Sequence, residues 1–145
     1  MAFSHLISRS YLVGTGTDTK LTKTTDSTQS AGKEMNVSEA LENKTVASAF
    51  EIEDFSFVTA NIKSLALWAE GCDMRVSGVG TDVVELTNNQ PYVYSAGLAD
   101  TTNPFTGNAS ALQVSTYAPG NGFADVDSGA GSGTLNIVML VDPTT

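Results

Sequence analysis

Few residues in this chain could carry out chemistry, and those few are widely separated. A Ser-His-Asp or Cys-His hydrolytic site needs an imidazole that is held in position. The only histidine, His5, lies near a chain end that we expect to fray. The only cysteine, Cys72, precedes Asp73, whose negative charge should raise the pKa of the thiol and not activate it. The sequence therefore predicts no catalytic residues, and we expect that the protein is not an enzyme.

Two stretches have the composition of ligand-binding loops without their full pattern. The glycine-rich run 129–133 leads into a predicted strand, whereas a phosphate loop opens a helix and commonly carries a lysine. Asp125 and Asp127 have the spacing of calcium ligands, but the third oxygen ligand and the bidentate glutamate of an EF-hand loop are missing. We therefore expect no cofactor and no metal site. The sixteen acidic residues leave a carboxylate pair for glycoside hydrolysis open, although one Trp and four Tyr are few for a groove that stacks on sugars.

Charge and length exclude several classes of protein. Sixteen acidic residues against seven basic ones give a net charge of −9, which opposes direct nucleic-acid binding because the phosphate backbone requires Lys and Arg. The first ten residues lack the basic and apolar regions of a signal peptide, and no apolar run approaches the ~20 residues of a membrane span. With 145 residues and one cysteine, we expect one domain, or two at most, that folds without disulfides in a reducing cytoplasm.

The stretch 62–94 is the centre of the predicted fold. Four short runs of apolar, β-branched and aromatic residues, 62–70, 74–76, 83–86 and 92–94, are separated by clusters of Gly, Asn, Asp and Pro. This pattern is typical of consecutive antiparallel strands joined by tight turns. We therefore expect a four-stranded meander in the middle of one hydrophobic core.

Alternation along the first of these runs separates two faces. Leu65, Leu67 and Ala69 share one face, and Ser64, Ala66, Trp68 and Glu70 share the other. The side chains that we expect to be mostly buried are Leu65, Leu67, Trp68, Val84, Leu86, Leu135, Ile137 and Met139.

Other parts of the chain also predict strands, namely residues 2–14, 46–59, 112–117 and 134–141. A change of alternation at Asp54 indicates a β-bulge or a corner. Residues 35–43 predict one short helical turn, and Phe105 is expected to fill space beneath a long loop. About eight strands without a substantial helix favour an all-β fold, a single antiparallel β-sandwich of jelly-roll type, with an immunoglobulin-like sandwich as the second choice.

The polar segment 14–32 stands apart from the rest, because Leu21 and Ala31 are its only apolar residues beyond glycine. We consider a polar edge strand around residues 20–23 or an extended arm, and alternatively a mobile surface loop. On this basis the chain divides into an N-terminal strand or arm, residues 1–33, and a β-sandwich domain, residues 34–145. The candidate partner-contact residues of the arm are Lys20, Leu21, Lys23 and Lys33.

The central stretch resembles a recurring segment of small structural proteins from tailed bacteriophages. In those proteins an IKSLxL strand, here within residues 62–70, leads into a hairpin, here residues 74–76 and 83–86. A turn of the Asn-x-Pro kind, here residues 88–91, then precedes an aromatic strand, here residues 92–94. In a small, acidic, Thr- and Gly-rich chain, the resemblance is to capsid decoration (cement) proteins.

This resemblance implies a fold, partners and a location. It implies a jelly-roll-like fold, self-association as a homo-oligomer with a trimer preferred, and binding to the outer surface of the major capsid protein lattice. The protein would then be made in the host cytoplasm and reside on the capsid exterior of the virion, where it would stabilise the head by bridging capsid subunits. The alternatives are another phage particle β-domain, such as a head fibre or tail-associated domain, and a carbohydrate-binding module.

Overall fold

The computed structural model describes residues 3–15, 18–45, 50–53, 61–78, 83–98, 101–105, 111–118, 123 and 131–142. These residues form antiparallel strands and no α-helix, which confirms the all-β prediction. The described strands are β1 (Phe3–Thr15), β2 (Asp18–Ala31), β3 (Lys33–Glu42), β4 (Phe50–Glu53), β5 (Ile62–Glu70), β6 (Asp73–Ser77), β7 (Val83–Leu86), β8 (Tyr92–Ser95), β9 (Ala111–Tyr117) and β10 (Ser132–Val141). Within this part of the chain, no helix has the length and apolar character needed to cross a membrane.

The strands form three antiparallel sheets. Among the described residues, strands β1 and β2 pair with each other alone, and this two-stranded sheet is called the hairpin below. Sheet I has the order β3-β10-β5-β8, and sheet II has the order β4-β9-β6-β7. Buried apolar side chains from both four-stranded sheets form one core cluster, because each strand turns one row of alternating side chains away from water.

Most of the predicted core is confirmed. The side chains of Leu65, Leu67, Val84, Leu86, Leu135, Ile137 and Met139 are buried. Trp68 is the exception, since it is only partly buried and lies on the opposite face of β5. Phe105 is fully buried, as expected for a residue that fills space beneath a loop.

The prediction of a four-stranded meander is wrong. Strands β6 and β7 pair as a hairpin, with Met74 opposite Leu86, but β5 and β8 pair with each other in sheet I. Gly71, which has a φ of 99°, turns the chain from sheet I into sheet II, and Asn89, with a φ of 63°, occupies the turn through which it returns. Turn residues mark where a strand ends and do not determine which sheet the next strand joins.

The predicted helical turn at 35–43 is also wrong, because this segment lies largely in β3. All ten residues of β3 pair with β10, from Lys33 opposite Val141 to Glu42 opposite Ser132. A short isolated helix is marginal in water, whereas pairing along a full strand satisfies the backbone groups of the whole segment. Residues 33–42 thereby become an additional strand of sheet I.

The polar segment 14–32 is largely a strand and not a loop. Strand β2 pairs with β1 from Phe3 opposite Ala31 to Thr15 opposite Asp18, which also confirms the strand predicted at 2–14. Backbone pairing and the strand preference of threonine order this segment despite its lack of core-forming side chains. The described strands number ten, compared with the eight expected, because the expected eight did not include β2 or β3.

Several predictions fall partly or wholly outside the described residues. Within 46–59 only Phe50–Glu53 is described, so the change of alternation at Asp54 lies outside. The pair Asp125 and Asp127 also lies outside, as do the first two residues of the glycine-rich run. Gly131 directly precedes β10, and Ser132 and Gly133 are its first two residues, so the run leads into a strand as predicted. A side chain at Gly133 would collide with the carbonyl oxygen of Glu70, which explains the need for glycine there.

Candidate functional site

The hairpin lies on the outer face of sheet I, the face directed away from the core. Its base, residues 3–8 and 25–31, makes the contacts with the sheet described below. One row of register neighbours crosses all four strands beneath it, namely Glu34, Leu140, Ser64 and Ser95. Leu140 is fully buried, and the other three residues bond to the hairpin.

His5 connects the hairpin to two strands of sheet I. Its Nε2 lies 2.7 Å from Oε2 of Glu34, and its Nδ1 lies 2.9 Å from Oγ of Ser64. Since a carboxylate can only accept, Nε2–H donates to Glu34, and in the neutral ring Nδ1 accepts the hydroxyl proton of Ser64. The hydrogen bond from His5, followed by one from Asn36 Nδ2 at 2.5 Å, lowers the pKa of Glu34. The expectation that His5 frays with the chain end is therefore wrong.

The three residue types are those of a Ser-His-Glu hydrolytic triad, but their environment supports an attachment role. A nucleophilic serine must reach its substrate, as it does when it projects from a sharp turn. Ser64 instead lies within the regular strand β5 and has no exposed surface. Its hydroxyl is directed at His5 and not at solvent, so this cluster is suited to holding the hairpin in place.

A second polar attachment holds the other strand of the hairpin. Oγ of Ser27 lies 2.6 Å from Oγ of Ser95, and both serines are buried. Gln29 Nε2 donates to Ser27 Oγ at 3.2 Å. Gly97 lies directly beside this group, because a Cβ at that position would collide with Ser27 Oγ. A buried hydrogen bond of this kind contributes about 0.5–1.5 kcal/mol to stability.

A cleft of about 370 Å³ opens beside the hairpin base. Strand β1 forms one wall, and the outer face of β5 and β10 forms the floor. The residues that line it include His5, Leu6, Ile7, Ala66, Trp68 and Val138. Trp68 Nε1 donates to Glu70 Oε1 at 3.0 Å, which fixes the orientation of the indole at one end of the cleft. On β1, Leu6 is 65% exposed and Phe3 is 39% exposed.

The four candidate contact residues fall into two groups. Leu21 and Lys23 lie in β2, opposite Val13 and Tyr11, and Lys20 occupies the register irregularity beside Leu21. Lys33 begins β3, so it belongs to sheet I and not to the hairpin. The hairpin thus ends at Ala31, two residues before the boundary that the sequence predicted.

Cys72 has the inert environment that its sequence neighbours suggested. It is fully buried, and burial is the main cause that raises its pKa, with a smaller contribution from the charge of Asp73. A backbone hydrogen bond at Tyr117 acts in the opposite direction. Among the described residues, no group of three or more His, Cys, Asp and Glu side chains could hold a metal ion.

Sequence reasoning missed the residues that attach the hairpin: His5, Ser27, Glu34, Ser64 and Ser95. One signal was present, because Ser64, Ala66 and Trp68 form a weakly polar face on an otherwise apolar strand. Such a face suits a surface that another element covers.

Comparisons of this protein with family models, curated proteins and solved structures found no match.

Proposed function

We propose that this chain is a non-enzymatic capsid decoration protein that binds the outer surface of a tailed-phage capsid and stabilises the head by bridging major capsid protein subunits. It would act as a homo-oligomer, with the trimer preferred by the resemblance, and would reside on the virion exterior after synthesis in the host cytoplasm. The resemblance of residues 62–94 to small phage structural proteins supports this role. The form of the hairpin supports it independently.

The finer architecture that we propose is a jelly-roll sandwich with an N-terminal arm. If β3 to β10 are counted as strands one to eight, sheet I has the order 1-8-3-6 and sheet II has the order 2-7-4-5. This is the strand order expected when two Greek keys wrap around each other as a jelly roll. Residues 1–33 would serve as the arm, and residues 34–145 as the sandwich domain.

The observation that carries the functional proposal is the length of the hairpin relative to the sheet beneath it. Its strands have 13 and 14 residues, which corresponds to about 43 Å at ~3.3 Å per residue. Four strands spaced ~4.8 Å apart span only about 15 Å between the outer two. A hairpin attached by its base can therefore extend past the sheet through its distal half, residues 9–15 and 18–24.

Charge separates the hairpin from the rest of the chain. Residues 1–31 contain three basic and two acidic residues, whereas residues 32–145 contain four basic and fourteen acidic residues. A slightly basic, extended hairpin on an acidic body can contact an acidic neighbour without repulsion. On a capsid lattice each such bridge can be weak, because many copies act together.

The test shortens the hairpin without removing its attachment. Arg9 and Thr25 are register partners, so an Asn-Gly turn can join them and replace residues 10–24. This variant keeps His5 and Ser27 and should retain the thermal stability of the full chain. We expect cosedimentation with undecorated tailed-phage capsids to weaken by about tenfold or more. Undiminished capsid binding by the shortened variant would refute the arm, and a full chain that binds no such capsid would refute the decoration role.

One observation favours a carbohydrate-binding module as the second candidate. Trp68 presents an aromatic side chain at a cleft that also contains polar groups from His5 and Ser4, an arrangement that could stack on a sugar ring. A glycan array separates the two functions. Specific sugar binding that Trp68→Ala abolishes, without affinity for capsids, would replace the decoration proposal.

A further inference from the structure

The hairpin covers only part of the outer face of sheet I. Leu140, in the row beneath the hairpin base, is fully buried. In the next row, Val138, Ala66 and Val93 are register neighbours and remain only partly buried. Trp68 lies one step further along β5 and is likewise partly buried. The cleft is therefore an apolar part of a sheet face that lacks a complete cover.

An unpaired strand edge borders this face. In the described part of the chain, β1 pairs with β2 alone. The backbone N–H and C=O groups on the other edge of β1 are therefore directed away from β2 and have no described strand beside them. The cleft lies on that side, because its hairpin wall is residues 4–7 of β1. An unpaired edge next to an apolar floor is the arrangement that accepts an added strand, since backbone pairing and side-chain burial occur together.

We propose that the cleft receives the distal half of the hairpin, residues 9–15 and 18–24, from a second copy of this chain, which adds a third strand along the edge of β1. The inference rests on the self-association included in the proposed function and names its contact surface. Each copy offers one hairpin and one cleft. A closed ring of two or three copies therefore satisfies every cleft, as expected of symmetric oligomers.

Composition and charge favour this occupant. In the distal half, Tyr11 and Val13 occupy alternate positions of β1 and Leu21 is the register partner of Val13, a set that suits an apolar floor. It carries three basic residues, Arg9, Lys20 and Lys23, against the single acid Asp18. The cleft instead has acidic neighbours, because Glu70 bonds to Trp68 and Glu34 bonds to His5. Opposite charges of this kind set the orientation of an interface and suppress wrong partners.

The length of the distal half also fits. The distal half contains seven residues of β1, 9–15, and seven of β2, 18–24. Each of these two strand segments is about 23 Å long. That length matches the edge of β1 from its first described residue to the middle of the strand. One added hairpin can therefore cover the cleft and pair with the exposed edge of the base.

The experiment uses two full-length variants that fail in complementary ways. Ala66→Arg places a charge on the cleft floor but leaves the hairpin intact. The double variant Lys20→Glu, Lys23→Glu reverses the hairpin charge but leaves the cleft intact. Val83→Arg is the matched control, because Val83 is 42% exposed in β7, on a different sheet. Sedimentation equilibrium without capsids measures self-association, and circular dichroism checks that each variant folds.

We expect the wild type and Val83→Arg to self-associate equally, and each cleft or hairpin variant alone to associate about tenfold more weakly or worse. Mixing the two defective variants should restore a complex of both, because the intact hairpin of one can enter the intact cleft of the other. Self-association of Ala66→Arg at the wild-type level, or no complex in the mixture, would overturn the inference. A wild type that stays monomeric at every concentration would also overturn it, and cosedimentation with capsids would still test the proposed function separately.

Discussion

Replacing Leu140 with alanine tests whether the hairpin covers sheet I in solution. Leu140 lies on the outer face of β10, in the row formed by Glu34, Ser64 and Ser95, and has no exposed surface. Without the hairpin this face would contact water, so the burial of Leu140 depends on the hairpin. The substitution removes three carbon atoms at about 0.8 kcal/mol for each buried methylene, or roughly 2.4 kcal/mol, before any cavity term.

The expected loss is therefore about 2–3 kcal/mol, near the lower end of the range for buried leucines, because a two-stranded hairpin can settle into the space. Urea unfolding at neutral pH measures the loss, and Leu140→Met serves as the control because volume-conserving changes usually cost less than about 1.5 kcal/mol. A loss under about 0.5 kcal/mol would show that the hairpin does not cover Leu140, and the argument for the attached base would fail.

Three further predictions address other parts of the fold. Leu67→Ala, in the core between the sheets, should lower the free energy of unfolding by about 2–5 kcal/mol, and a urea midpoint that hardly moves would mean that the assigned face of β5 is wrong. Gly133→Ala should destabilise the protein more than Ser38→Ala at an exposed position, because the new Cβ at residue 133 would meet the backbone oxygen of Glu70. Equal melting temperatures of the two variants would contradict this close approach. The pKa of Glu34 is lowered from 4.5 by its bond to His5, so the ionised Glu34 stabilises the folded chain above about pH 4.5, and this contribution is lost as pH falls through the lower folded-state value. Between pH 6 and pH 3, the free energy of unfolding should fall less for Glu34→Gln than for the wild type. An identical dependence of that free energy on pH in the two proteins would refute the assignment.

The strands that carry the core could be predicted because alternation is a local property. In β5 and β10 the apolar side chains recur at every second position, and the structure buries them on one face as expected. The partners of those strands could not be predicted in the same way. The turn at Gly71 was visible in the sequence, but the sequence did not show which strand pairs with β5 after the turn. In the structure β5 pairs with β10 and β8, and not with β6, which follows it in the chain. That choice is settled by packing between distant segments.

The candidate site could not be predicted because its members are distant in sequence. His5 is separated from Glu34 by 29 positions and from Ser64 by 59 positions. Serine and glutamate are common surface residues, so neither signals a buried hydrogen bond by itself. The hairpin was partly visible, because the lack of apolar residues in segment 14–32 marked that segment as unable to form a core of its own.

Two kinds of interaction hold this protein together, and their difference bears on how it could work. Sheets I and II share a continuous apolar core, whereas the described attachments of the hairpin are a few hydrogen bonds made by His5 and Ser27 and the cover that it places over Leu140. Such hydrogen bonds stabilise the attachment only weakly in net terms, because water can replace them when the hairpin separates. The position of the hairpin can therefore respond to a neighbour without disturbing the core. The bridging role that we propose would use this combination, a stable body and an extended element whose contacts can be exchanged for those of a partner.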